Sequence, residues 1–124
     1  MKEAKKTLLV VEDDPGLQKA LRWAFDGFKV ITAEDRETAI AHLRRYEPHV
    51  VTLDLGLPPD PGGATEGLAT LQEILSLAPG TKVIVVTGMD DCHDETIAAG
   101  AIGYVRKPVN FERFLKLIKN LLNN

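Results

Sequence analysis

The chain has 124 residues, 44% hydrophobic and 27% charged, which suits one globular domain (1–124) with a single core and leaves no room for two. Fifteen basic residues against eighteen acidic ones give a net charge of −3, without the basic excess of a domain that grips nucleic acid by its phosphates, so no direct nucleic-acid binding is expected. No apolar run nears the roughly 20 residues that cross a bilayer, Met1 to Lys6 lead into a strand-like run rather than a signal segment, and the single Cys92 excludes an internal disulfide or cysteine metal cluster; a soluble, cytoplasmic protein with no membrane partner is expected.

Five β-type runs alternate with five helix-type stretches. The first strand is predicted over Thr7 to Glu12, "TLLVVE", and Pro15 opens a helix whose Leu17, Ala20, Leu21, Ala24 and Phe25 recur on one face until Gly27 ends it. A strand over Phe28 to Thr32 follows, then a helix over Asp35 to Tyr46 with Asp35 as N-cap, Ala39, Ile40 and Leu43 inward, and Pro48 as a stop. The third strand spans His49 to Asp54, and the third helix, Thr65 to Leu77, turns Leu68, Leu71, Ile74 and Leu75 to one side before Pro79-Gly80 closes it.

Lys82 to Thr87, "KVIVVT", reads as the fourth strand. The fourth helix, Asp91 to Ala99, has only Ile97, Ala98 and small residues to bury, which makes it the weakest and most mobile element, with Gly100 as its cap and Cys92 as a bystander. After a strand over Gly103 to Arg106, Asn110 caps a last helix with a wide apolar stripe of Phe111, Phe114, Leu115, Ile118, Leu121 and Leu122. The first and fourth strands are continuously apolar, as parallel strands covered on both faces are. Strands alternating with helices predict an open α/β sheet with helices on both faces, whose ligands bind beyond the carboxyl ends of the strands.

Polar groups gather at those ends. Glu12 and Asp13, with Asp14 next, follow the first strand, Asp54 ends the third, Thr87 ends the fourth, and Lys107-Pro108 follows the fifth. Carboxylates brought together there repel unless a proton or a metal intervenes, and oxygen-only ligands favour a hard ion such as Mg²⁺. With that ion, Asp54 is placed to act as nucleophile toward a phosphoryl group, while Lys107, the Thr87 hydroxyl and the unobstructed backbone N–H of Gly88 neutralise the phosphoryl oxygens.

"LLVVEDDP", "VVTLDLGLP", "VIVVTG" and "GAIGYVRKP", in this order and spacing, resemble the receiver domain of two-component response regulators over essentially the whole chain. The resemblance implies a flavodoxin-like (βα)5 doubly wound sheet of order 2-1-3-4-5. It makes Asp54 the phosphoacceptor, Glu12 and Asp13 the acidic pair that holds Mg²⁺ together with Asp54 and the Gly56 carbonyl, and Thr87 and Tyr104 the switch pair. Lys107 matches the family's lysine, a cis bond is implied before Pro108, and Gly56 and Met89 occupy positions that tune hydrolysis of the phosphoryl group. Implied partners are a sensor histidine kinase, an output domain and a phosphorylation-dependent homodimer.

One stretch departs from that pattern. "PDPGGATEG", residues 59–67, lengthens the connection after Pro58 by about five residues, an insertion that loop entropy tolerates. With "TLDLGLPPDP" and "GLATLQEI" it is most similar to receivers of exosortase-associated, PEP-CTERM-box response regulators, whose full chains carry an AAA+ ATPase and a helix-turn-helix DNA-binding domain; the present chain then reads as the N-terminal part of a transcriptional regulator.

Taken singly, the same residues have plainer readings. Glu12 and Asp13 suit a solvated loop that caps a helix, Asp54 a turn before Gly56, Lys107 an exposed lysine, Thr87 β-propensity and Tyr104 a packed aromatic. Their joint occurrence favours the regulatory reading over an enzymatic one. A haloacid-dehalogenase-type phosphatase wants a second Asp two residues after its nucleophile, where Gly56 stands; a nucleotide or flavin module wants a glycine-rich loop after the first strand. A stand-alone receiver that signals by protein contact alone remains the other alternative. His42, His49 and His93 form no ligand spacing, and the acids of "DDCHDE" suit a helix start rather than a metal site.

Overall fold

The apolar runs become the middle of a parallel sheet. In a computed structural model that describes residues 5–122, the elements in chain order are β1 (Thr7–Val11), α1 (Pro15–Ala24), β2 (Lys29–Ala33), α2 (Arg36–Tyr46), β3 (Val50–Leu53), α3 (Thr65–Leu77), β4 (Lys82–Thr87), α4 (His93–Ala98), β5 (Gly103–Arg106) and α5 (Phe111–Leu122). The five strands are all parallel in the order β2-β1-β3-β4-β5, as expected. The chain leaves β1 first toward β2 and later returns on its other side with β3, so the winding reverses between β1 and β3 and opens a crevice there. The predicted lead-in from Met1 lies outside the described residues as far as residue 4, as does the terminal Asn124.

Alternate strand residues face opposite layers. Leu9, Val11, Val51, Leu53, Val83 and Val85 pack against Ala39, Ile40 and Leu43 of α2 and Leu71 and Ile74 of α3. Leu8, Val10, Val50, Ile84 and Val86 pack against Leu21 and Phe25 from α1 and its cap and against Phe114 and Ile118 of α5. Each fully buried aliphatic or aromatic side chain stabilises the fold by about 1.5–3 kcal/mol. Phe25 meets Phe114 edge to face at 5.4 Å between ring centroids, joining α1 to α5. Trp23, the only tryptophan, points away from this core: it is 84% exposed beside an apolar groove lined by Ala20, Ala24, Phe111 and Leu115.

Several predicted boundaries move. Glu12 and Asp54 lie just past β1 and β3, though their N–H groups still donate to Ala33 and Val11 carbonyls at 2.9 Å, so the ladder continues for one more bond while the side chains turn to the sheet rim. β2 is shifted one residue later than predicted, and His49 precedes β3, its Nδ1 accepting from the Thr7 N–H. α1 ends at Ala24, where Phe25 caps it through an N–H···O bond to Leu21, rather than running on to Gly27. Asp35 caps α2 and Asn110 caps α5 as predicted, through bonds from the Thr38 and Arg113 N–H groups. The insertion predicted over 59–67 is loop only as far as Ala64, because α3 already starts at Thr65.

α4 differs most from expectation. It is shorter than predicted, and it buries Thr96 instead of Ile97, which is 40% exposed, or Ala98. The Thr96 hydroxyl donates to the His93 carbonyl at 2.9 Å, which satisfies the polar group in the buried position. Cys92 is no bystander in packing: it is buried at the start of α4 with Met89 beside it. Among the described residues no helix is long and apolar enough to cross a membrane.

Candidate functional site

Adjacent strands deliver the acids to the crevice between β1 and β3. Glu12 and Asp54 are only 2% and 6% exposed, and carboxylate oxygens of Glu12, Asp13 and Asp54 lie within 4.8 Å of one another. Lys107, brought in just after β5, places Nζ 2.9 Å from Glu12 Oε1 and 3.4 Å from Asp54 Oδ2. Its own N–H donates to the Thr87 carbonyl at 2.9 Å, so the β4–β5 ladder fixes where that side chain emerges. The Lys107–Pro108 bond is cis, as expected, and so is Pro58–Pro59.

Backbone donors hold the acids in place. Asp54 Oδ1 accepts from the Gly56 N–H at 3.1 Å, and Glu12 Oε2 accepts from the Asp14 N–H at 3.1 Å. Asp14 in turn caps α1 by accepting from the Gly16 N–H, and the Gln18 side chain donates to the Glu12 carbonyl. The start of α1 therefore grips the acidic loop from two sides. α3 does the same for Asp54: a Cβ on the buried Gly67 would fall 2.2 Å from the Leu55 Cα, so only glycine lets the first turn of α3 sit on the backbone that follows the acid.

Charge is out of balance in this cleft. Four groups, Glu12, Asp13, Asp54 and Lys107, carry a net −2 when all are ionised. The Glu12 carboxyl is pushed up to about 7, foremost by burial, with the Lys107 hydrogen bond pulling it partly back and the charge of Asp54 adding to the rise. Burial pulls the Lys107 ammonium down, but the hydrogen bond to Glu12 and the charges of Asp54 and Glu12 outweigh it and hold the group above its ordinary value. A cluster of oxygen donors with unmet negative charge suits a hard divalent cation, and Glu12, Asp13 and Asp54 are the side chains that could hold it.

The cleft, about 360 Å³, is also lined by Gly56, Thr87 and Gly88, so every residue predicted for metal or phosphoryl contact faces it. Thr87 is buried, and its Oγ1 accepts from the Met89 N–H at 3.2 Å. Tyr104 does not line the cleft. Its hydroxyl donates to the Met89 carbonyl at 2.5 Å, its ring meets His93 edge to face, and burial foremost pushes its phenol up. Thr87 and Tyr104 are thus joined through the two backbone groups of one residue. Pro61 and Asp14 also line the cleft; no motif marks Pro61, whose place depends on how the 58–64 loop folds back.

Residues 8–119 match the response regulator receiver domain family. The chain is 36% identical over 120 residues to the probable transcriptional regulatory protein TcrX of Mycobacterium tuberculosis, an alignment covering 94% of this chain and 49% of that protein. A crystal structure of a CheY-like response regulator receiver domain from Methanospirillum hungatei superposes with a TM-score of 0.87 at 29% identity, covering 97% of this chain and 95% of that one. NtrX from Brucella abortus, crystallised in complex with ADP, gives a TM-score of 0.84 at 26% identity over 98% of this chain but only 26% of its own. The chain therefore spans about half the length of TcrX and about a quarter of NtrX.

Proposed function

Because the chain belongs to the response regulator receiver domain family, we propose that it accepts a phosphoryl group on Asp54 from a phosphohistidine of a sensor histidine kinase and passes the signal on as a change of interface. The observation that carries this reading is the convergence of Asp54 with Glu12, Asp13 and Lys107 at one sheet edge. An Asp54 oxygen attacks phosphorus, the P–N bond to the donor imidazole breaks, and the carboxylate becomes an acyl phosphate. Lys107, which lies beside Asp54, would pair with the phosphoryl oxygens, with the Thr87 hydroxyl and the Gly88 N–H as further donors. Glu12, Asp13, Asp54 and the Gly56 carbonyl would hold Mg²⁺, which neutralises charge on donor and acceptor oxygens.

Thr87 and Tyr104 suit the transmission step. If the Thr87 hydroxyl turns to a phosphoryl oxygen, it gives up the Met89 N–H, and the Met89 carbonyl is the partner that holds Tyr104. Loss of that double tie frees the Tyr104 ring and biases the α4–β5–α5 face, where α4 buries a single residue, Thr96. The output is a new contact for an associated domain or a second receiver, with the protein in the cytoplasm. Regulation of transcription fits the relationship to TcrX. The 59–67 sequence and its neighbours favour a PEP-CTERM-box regulator with AAA+ ATPase and helix-turn-helix output domains, as the N-terminal segment of which the chain would serve.

Incubation with acetyl phosphate and Mg²⁺ followed by intact-mass measurement tests the reading. One phosphoryl group is expected on the parent chain and none on Asp54→Asn. Failure of the parent to gain mass, or gain by Asp54→Asn, defeats it.

A further inference from the structure

The loop over residues 58–64 is folded back on the cleft rather than trailing from it. Leu55 and Leu57 are fully buried and anchor its start. Short backbone bonds then turn it, from the Leu57 N–H to the Leu55 carbonyl at 3.0 Å, from Asp60 to Leu57 at 2.9 Å and from Gly63 to Asp60 at 3.2 Å. The result is that Pro61 reaches the phosphoacceptor cleft as one of its lining residues. Its carbonyl oxygen would lie 2.6 Å from a Cβ placed on Gly56, so loop and acceptor backbone are already in contact; Met89 Cε would lie 3.8 Å from the same point.

Pro61 and Met89 therefore converge on Gly56, the residue whose N–H holds Asp54 Oδ1. Their chemistry contrasts with the rest of the cleft. Proline has no N–H, glycine has no side chain and methionine ends in a thioether, so the side chains of this wall offer no acid, base or strong donor to activate a water molecule. They act by occupying space. A glycine at position 56 is also what allows the wall to stand so close, because any side chain there meets the Pro61 backbone.

Resting on the phosphoacceptor reading above, we infer that Pro61, brought to the cleft by the 58–64 loop and seated beside the two positions already implied to tune hydrolysis, screens the acyl phosphate on Asp54 from water and so lengthens its life. In the step that the wall slows, a water oxygen bonds to phosphorus, the bond between phosphorus and the Asp54 oxygen breaks with its electron pair returning to the carboxylate, and the water protons leave with inorganic phosphate and solvent. Nothing is oxidised or reduced.

The test uses the full chain, loaded with acetyl phosphate and Mg²⁺, freed of donor and followed by intact mass as phosphate is lost. Pro61→Gly and a deletion of residues 60–63 are both expected to take up one phosphoryl group and to lose it faster, the deletion by about tenfold. Met89→Ala acts in the same direction, and combining it with Pro61→Gly gives less than the product of the single effects, because both open one gap. Half-lives within about twofold of the parent in both loop variants, at full phosphoryl uptake, overturn the inference while leaving Asp54 as acceptor. A parent chain that takes up no phosphate, or an Asp54→Asn chain that does, overturns both.

Discussion

Val11, Leu53 and Val85 stand side by side on three paired strands and are fully shielded from water. One residue further along the first two of those strands, Glu12 and Asp54 are almost as deeply buried, yet they are acids. The lower layer lowers the free energy of folding by removing apolar surface from water. The upper one raises it, since burial drives the Glu12 carboxyl to about 7 and Lys107 meets only part of the charge. Stability and chemistry are thus stacked one residue apart, and the interior must be strong enough to carry a rim that opposes folding.

Removing a piece of the apolar interior that supports that layer is the largest test. Phe114→Ala is expected to cost about 3–5 kcal/mol in urea unfolding followed by circular dichroism, because the ring fills the α1–α5 junction against Phe25. Gly67→Ala tests the seam between the layers. The added methyl meets the Leu55 backbone, so a loss of about 1–3 kcal/mol is expected, together with slower phosphoryl uptake, since the same backbone carries Asp54. A loss confined to uptake would place the seam wholly with the rim.

The rim itself predicts an opposite sign. With Glu12 raised from 4.5 to about 7, the folded chain keeps a proton between those values that the unfolded chain has given up. The group's contribution is therefore most favourable below about pH 4.5 and declines as pH rises to about 7. In metal-free buffer Glu12→Gln is expected to raise stability near neutrality by about 1–2 kcal/mol, less than the full linkage of about 3 kcal/mol because Lys107 loses a partner. The gain fades toward pH 4.5, and denaturant midpoints compared at the two ends of that window check it. Destabilisation at neutral pH would show that the Lys107 pair outweighs the burial.

The smallest effect is expected at α4. Ile97→Ala removes a side chain that packs little, and a change within about 0.5 kcal/mol is expected by the same unfolding measurement. A larger loss would mean that α4 belongs with the interior rather than with the face proposed to shift on phosphorylation.

The parallel α/β class and the placement of Glu12, Asp13, Asp54, Thr87 and Lys107 at one edge were legible because continuous apolar runs mark buried parallel strands, whose carboxyl ends must share an edge, while the strand order was implied only by the resemblance of the four motifs to a known family. The inward face of α4 was not legible. Six residues are too few for periodicity to speak, and Thr96 is buried because its hydroxyl finds a carbonyl within its own helix. Pro61 was hidden for another reason: it is exposed, carries no reactive atom and gains its place only when the loop closes on Gly56. The tie from Thr87 through Met89 to Tyr104 runs through backbone atoms on one side, which no residue pattern encodes.

Trp23 carries a practical consequence. The indole is the only one in the chain and is wetted already in the native fold, so its surroundings change little when the core is lost. Intrinsic fluorescence is therefore expected to follow denaturation poorly. It is instead well placed to respond, by a blue shift, to any protein that covers the groove between α1 and α5.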